Sequence, residues 1–255
     1  MRVMMIGDVV GQPGCDFLRK RLPAFKREKK ADVVICNGEN SAVGNGILPQ
    51  SANFLFDSGV DVITGGNHSF KRREIQDYID EHPDLIRPAN YPPGAFGNGW
   101  YKLDLGSTSI LVINVLGQAF MDPMDDPFRT CDRIISEVKA DFVIVDFHAE
   151  ATGEKMALAY YLCGKASAVV GTHTHVQTAD EQIIDGKTGY ISDLGMTGPI
   201  RSILGTLPED IVRKMTTHLP TRFNVPDGPC KMEGVILDLD KKTGNCTKIE
   251  RFQLR

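Results

Sequence analysis

Residues Ala166–His175, ASAVVGTHTH, decide how this chain is read. The run Ala166–Val170 is small and β-branched, which predicts a buried strand. It ends in a glycine, a threonine and two histidines separated by one residue. Side chains two apart in an extended segment share a face, so His173 and His175 are expected to project together from the C-terminal end of the strand, with Thr174 directed away. Open α/β sheets bind ligands at that end. A pair of neutral imidazoles there reads as half of a metal site, although a hydrogen-bonded structural pair has the same local sequence.

Outward from this stretch, apolar β-branched runs alternate with helical patterns. RVMMIGD, ADVVICNGEN, VDVITGGNH, SILVINVLG, ADFVIVDFH and SAVVGTHTH read as strands; DFLRKRLPAFKREK, LPQSANFLFDSG, KRREIQDYIDEHP, PFRTCDRIISEVKA and EKMALAYYLCGK read as helices. That alternation is the mark of an α/β sheet. The Pro/Gly/Asn-rich residues 87–99 read as a loop, since strands resume after them. EGVILDLDKKTGNCTKIERFQL reads as a hairpin that adds antiparallel strands. With no repeat or composition break, residues 1–255 are read as one α/β domain, a sandwich of mixed β-sheets flanked by helices.

Composition narrows the function classes. A formal charge of −4 argues against bulk nucleic-acid binding through positive charge. The basic cluster Arg19, Lys20, Arg21, Lys26, Arg27, Lys29 and Lys30 is interleaved at helical spacing with Leu18, Leu22 and Phe25, so it reads as a solvated helix face. No apolar run is long enough for a membrane span, and MRVMMIGDVVG does not read as a signal peptide, which makes the cytoplasm the expected compartment. The six cysteines are scattered without a C-x-x-C pair and read as reduced core residues.

The polar residues are concentrated at strand ends. The first strand ends in Asp8, the second in Glu39 and Asn40, the third in Asn67 and His68, a later one in His148, and the last in His173 and His175. Two carboxylates, two amides and four imidazoles would converge, and the partner common to carboxylates and imidazoles at a core boundary is a divalent cation. The inventory suffices for two ions bridged by a carboxylate. Gly7, Gly38, Gly66 and Gly171 are expected to let the backbone turn sharply at these ends. Taken singly, Asp8 could cap the helix expected near Cys15, and Glu39, Asn40 and Asn67 could be turn residues. His82 and His218 lie at polar helix ends and read as bystanders. Lys71, Arg72 and Arg73 read first as a solvated helix turn and second as a phosphate contact, and Arg201 is a further candidate contact.

In this order, GDVV, NGEN, GGNH, DFH and GTHTH resemble the calcineurin-like metallophosphoesterases, whose pattern runs G-D-x-H, G-D, G-N-H, a lone His and G-H-x-H. The chain is still more similar to one bacterial branch, the YmdB-like phosphodiesterases, over essentially its whole length, with FHAEATGEK and GYISDLGMTGP also in that branch's style. Two departures from the wider superfamily stand out: Val10 replaces the histidine of D-x-H, and Glu39 followed by Asn40 replaces the bridging aspartate. The resemblance implies that Asp8, Asn40 and His175 hold one ion, that Asn67, His148 and His173 hold a second, that Glu39 bridges, and that His68 donates a proton. It implies two divalent ions; a mixed N/O site suits Fe or Mn, and ligand type also admits Zn.

The reading that follows is a dinuclear-metal phosphodiesterase in which a hydroxide held between the ions attacks phosphorus and His68 protonates the leaving oxygen. The resemblance implies a small-molecule nucleotide substrate, 2′,3′-cyclic AMP in particular. The rivals are a phosphomonoesterase of the 5′-nucleotidase kind and a regulatory protein whose bound metals organise a partner surface.

Overall fold

The computed structural model describes residues 1–43 and 45–255. The first part of the chain contains β1 (Arg2–Ile6), β2 (Asp8–Val9), α1 (Gly11–Lys29), β3 (Val33–Asn37), α2 (Pro49–Asp57), β4 (Val62–Thr64), α3 (Ile75–Glu81) and β5 (Leu85–Ile86). Next come β6 (Trp100–Asp104), β7 (Ser109–Leu116), α4 (Pro127–Glu137), β8 (Phe142–His148), α5 (Thr152–Tyr161) and β9 (Ala168–Thr172). The last part holds β10 (Gln182–Ile184), β11 (Thr188–Ile191), β12 (Met196–Pro199), α6 (Pro208–Thr217), β13 (Cys230–Leu239) and β14 (Cys246–Leu254).

These strands form two mixed sheets. One runs β2-β12-β13-β1-β3-β4-β5, with β14 also paired to β13; the other runs β10-β11-β9-β8-β7-β6. The strands β1, β3, β4 and β5 are mutually parallel, as are β7, β8, β9 and β11, so their C-terminal ends gather on one side of each sheet. The expected hairpin is present as β13 and β14, antiparallel to each other, with β13 inserted beside β1.

Period-2 patterning builds the interior. Val3, Met5, Val33, Ile35 and Val62 of one sheet pack against Ile110, Val112, Phe142, Ile144 and Val170 of the other. The alternate positions Met4, Ile6, Val34 and Cys36 meet α1 and α2 through Leu18, Leu22 and Leu55. On the far side, Val143, Val145 and Val169 meet α4 and α5 through Ile134, Leu158 and Leu162. The layers are therefore helix, sheet, sheet, helix. Towards the C-terminal strand ends, the face shared by the sheets changes chemistry: Val33 and Ile35 give way to Asn37, Ile144 to Asp146 and His148, and Val170 to Thr172, all buried.

Several details differ from the expectations. The first helix begins at Gly11, not near Cys15, so Asp8 is separated from it by Val9 and Val10, the latter occupying the N-cap position without a side-chain bond. Only Ile75–Glu81 of KRREIQDYIDEHP is helical; the residues before it are turns and bends, and among them the Arg72 guanidinium donates to the carbonyls of Val43 and Asn45. The basic residues of α1 do sit opposite its buried Leu18, Leu22 and Phe25. All six cysteines are unpaired, and five are buried. Among the described residues no helix is long and apolar enough to cross a membrane.

Candidate metal centre

The structure brings all eight predicted residues to one place, where the C-terminal ends of β1, β3, β4, β8 and β9 meet. Asp8 and His148 are fully buried and Glu39 nearly so, and these three offer ligand atoms all within 4.8 Å of one another. The His175 Nε2 lies 3.5 Å from Asp8 Oδ1 and 3.3 Å from Asn40 Nδ2. On the other side, His148 Nε2 lies 2.9 Å from Asn67 Oδ1 and 3.1 Å from His173 Nδ1. Glu39 sits between the groups, with Oε1 2.9 Å from Asn40 Nδ2 and 3.4 Å from His148 Nε2.

Each of three imidazoles presents one nitrogen to this centre and has the other committed outside it. The Leu204 carbonyl accepts from His175 Nδ1 at 2.9 Å. Glu150 Oε2 lies 3.1 Å from His173 Nε2. The Thr172 hydroxyl donates to Asp146 at 2.7 Å, so its oxygen accepts the proton on His148 Nδ1 at 2.9 Å. In the neutral rings the inward nitrogens carry lone pairs, which a cation would take in place of the proton favoured by Asp8 and Glu39. Outer partners of this kind fix the tautomer that a metal-binding imidazole needs.

Apart from the Asn40 amide, which donates to Glu39, the centre is rich in acceptor groups and suits a positive charge between them. Asp8 Oδ1 is buried and, among the described residues, has no hydrogen-bond partner, only the His175 Nε2 at 3.5 Å, a costly state for a carboxylate oxygen. Burial raises the Asp8 carboxyl, yet the neighbouring His175 imidazole outweighs this and holds it below its ordinary value. Burial likewise opposes charge on His175, but Asp8 pushes it up to about 9. Against its own burial, Glu39 is held well below the usual range by His148 and His68. Burial and the adjacent His148 lower His173 to about 4, which keeps it in the neutral, ligating form. A Cβ on Gly66 would stand 2.2 Å from Glu39 Oε2 and 2.5 Å from His148 Nε2. The donor set, the orphaned oxygen and this vacated volume together fit divalent cations.

Two sequence expectations are corrected in their cause. The histidines do not extend the strand: β9 stops at Thr172, and His173 and His175 have φ of 100° and 62°. Their convergence comes from a left-handed backbone that costs of order 1–3 kcal/mol per residue, not from strand alternation. Nor do Gly7, Gly38, Gly66 and Gly171 supply positive φ. They permit close approach: a Cβ on Gly171 would lie 1.8 Å from the Ser192 carbonyl oxygen, and one on Gly7 2.1 Å from that of Gly195.

His68 differs from the other imidazoles. Its Nδ1 lies 3.0 Å from both Glu39 Oε1 and Asn40 Oδ1, and its backbone N–H donates to Glu39 Oε2 at 2.8 Å. Among the described residues its Nε2 has no hydrogen-bond partner, and the ring borders an open cavity of about 610 Å³. Arg72 also lines that cavity. Arg201 instead pairs with Glu209 at 3.5 Å and is not among the residues bordering it. His82 stacks on Tyr78 and His218 ends α6, both as expected of bystanders.

Sequence reasoning missed Asp146, Lys155 and Asp193. Asp146 accepts from Thr64 at 2.5 Å and from Thr172, and burial drives it up to about 6; its signal is a carboxylate inside an otherwise apolar strand. Lys155 and Asp193 are each only 1 % exposed and form an ion pair at 2.9 Å. The Lys155 ammonium also donates to the Thr172 carbonyl at 2.8 Å, and Asp193 accepts from the Thr174 backbone N–H at 3.0 Å. The pair thus clamps the backbone on both sides of His173. Its signal is a lysine at i, i+3, i+4 spacing with Leu158 and Ala159 on the buried stripe of α5.

This clamp gives a separable prediction. Lys155→Met or Asp193→Val alone strands a buried charge and should destabilise the fold by about 3–5 kcal/mol, whereas the double replacement should recover most of that loss. The double variant still lacks both backbone anchors, so its metal affinity is expected to fall about 10–100-fold. Thermal melting in chelator and metal titration check the two halves. Full metal affinity in the double variant would show that the clamp only packs the core.

The chain is similar to known proteins along its whole length. A relative from Bacillus subtilis (strain 168), a 2′,3′-cyclic-nucleotide 2′-phosphodiesterase, is 47% identical over 254 residues, covering 99% of this chain and 96% of its own. A solved structure from Thermus thermophilus, described as a hypothetical protein, superposes with a TM-score of 0.95 at 42% identity, covering 100% of this chain and 99% of that one. Another, described as a novel phosphatase from Mycoplasma pneumoniae, gives a TM-score of 0.94 at 32% identity, covering 100% and 93%. The sequence model of the family described as YmdB-like protein matches residues 4–252, a span that takes in every residue of the centre, and on that match this chain belongs to the YmdB-like family.

Proposed function

We propose that this chain is a dinuclear-metal phosphodiesterase acting on 2′,3′-cyclic nucleotides. The observation that carries the reading is the buried set of Asp8, Glu39 and His148, whose ligand atoms all lie within 4.8 Å of one another, with His173 and His175 beside them and the outer nitrogens of all three imidazoles committed elsewhere. Asp8, Asn40 and His175 would hold one ion, Asn67, His148 and His173 the other, and Glu39, in reach of both groups, would bridge. Bound ions supply Lewis-acid polarisation of the phosphoryl oxygens and neutralise charge that develops on them. Mn or Fe suits this mixed N/O set, and Zn is compatible with it.

The protein's own groups supply the rest. Asn40 presents Nδ2 to Glu39 and His175 and Oδ1 to His68; ligation through oxygen requires the amide to turn over. Glu39 Oε1, 3.0 Å from His68 Nδ1, accepts the proton there, so the imidazolium carries its second proton on Nε2, on the cavity side, and donating it leaves a neutral ring. From there His68 protonates the leaving ribose oxygen. The relative's substrate, a cyclic nucleotide, supports the substrate class.

The test is elemental analysis of gently purified protein together with a phosphodiester assay. Chelation should abolish hydrolysis of 2′,3′-cyclic AMP and added Mn²⁺ should restore it. Faster turnover of adenosine monophosphates than of the cyclic diester would favour a nucleotidase, and stoichiometric metal without turnover of either would favour a regulatory binding protein.

A further inference from the structure

The cavity above the metal centre has two unlike walls. His68, His173 and His175 line one, and Leu204, Arg222 and Phe223 line the other. The second wall carries large apolar side chains facing solvent: Phe223 is 46% exposed and Leu204 49%. The segment bearing Phe223 runs between α6 and β13 without helix or strand, yet it is held firmly. Asn224 donates through its backbone N–H and its Nδ2 to Asp210 Oδ2 at 3.0 and 2.9 Å, and its carbonyl accepts from the Leu207 N–H at 2.8 Å. Val225 then packs against Gly11, where a Cβ would stand 3.1 Å from a Val225 methyl. A strap pinned this way presents an aromatic ring at the mouth of a polar site, where apolar exposure is unfavourable unless something covers it. Leu204 links the walls mechanically, since its side chain lines the cavity while its carbonyl orients His175. Arg222 is exposed and forms no ion pair among the described residues, unlike Arg201.

We infer that this strap is the nucleoside subsite: the base of the substrate stacks on Phe223 and lies against Leu204, with Arg222 beside it, while the phosphate reaches the histidine wall. The inference rests on the phosphodiesterase reading for its ligand class and adds the residue that recognises the base. A π-face and an adjacent guanidinium suit any nucleobase, so the subsite selects nucleotides over other phosphate esters and discriminates weakly among bases. A cavity of about 610 Å³ has room for a nucleotide.

The experiment compares adenosine 3′-monophosphate with ribose 3-phosphate by calorimetry in the presence of Mn²⁺, using wild type, Phe223→Ala and Phe223→Trp, alongside turnover of 2′,3′-cyclic AMP and ribose 2,3-cyclic phosphate. Wild type should bind the adenosine compound more tightly. Phe223→Ala should weaken that ligand about 5- to 150-fold, the value of one base stack, and leave the ribose compound and its cyclic diester unaffected. Phe223→Trp should keep the preference. Because Phe223 is half exposed, its removal opens no core cavity. An unchanged adenosine-to-ribose ratio in Phe223→Ala, or no preference in wild type, overturns the subsite even if both diesters are hydrolysed. A Phe223-dependent preference without hydrolysis of either diester upholds the subsite and sinks the phosphodiesterase reading instead.

Discussion

His68→Ala is expected to slow hydrolysis of 2′,3′-cyclic AMP by about 10²–10⁴-fold, the contribution of a positioned general acid, while metal content stays near wild type. The geometry behind this is the contrast between His68 and its neighbours. Its Nδ1 rests on Glu39 and Asn40 and its other nitrogen borders the cavity, whereas the other three imidazoles turn their free nitrogen inward. A ribose alkoxide is a strongly basic leaving group that needs a proton as the P–O bond breaks, and a nitrophenolate leaves without one. The loss should therefore be much smaller with a nitrophenyl phosphodiester. Parallel kinetics on the two substrates, with metal analysis of the same preparation, make the measurement. Equal slowing of both would assign His68 to charge stabilisation, and a missing ion would make it a ligand.

Glu39 should produce the other large effect. It contacts both halves of the centre through one oxygen and holds the His68 backbone through the second. Glu39→Gln keeps the shape and both acceptor positions in part but removes the charge, and Glu39→Ala removes both. Both should lower metal affinity by about 10²-fold or more, beyond the range typical of an outer-shell change. Glu39→Ala should lose more metal than His173→Ala or His175→Ala, each of which touches one half. Elemental analysis after dialysis against weak chelator ranks the variants. Two tightly retained ions per chain in folded Glu39→Ala protein would remove the bridging assignment.

How much of this was legible beforehand depends on the range of the interactions involved. Strand and helix alternation is a local property of side-chain period, so the α/β architecture and the terminal hairpin could be read directly. The site residues were legible for a related reason: Asp8, Glu39, Asn40, Asn67, His68 and His148 are polar groups placed where apolar strands stop, and parallel strands have to bring those stops to one side. That the two sheets set these sides together at one centre depends on how they pack on one another, which local period does not encode.

Other features rest on contacts that no local pattern encodes. The insertion of β13 between β1 and β12 joins segments more than two hundred residues apart in sequence, through registers such as Ile6 with Gly234. Lys155 and Asp193 meet across 38 positions, and only that meeting explains how His173 is held between Thr172 and Thr174. Left-handed backbone at His173 and His175 is unfavourable locally and persists because the Lys155–Asp193 pair and the Leu204 carbonyl over-determine it. The glycines were visible by position, but their purpose was not, because the close approach of Ser192 to Gly171 and of Glu39 to Gly66 exists only once the strands are packed. Side-chain identity and local period suffice to put these chemical groups at the strand ends, whereas which nitrogen of each imidazole faces the centre follows from packing, because tautomer and orientation are set by partners distant in the chain.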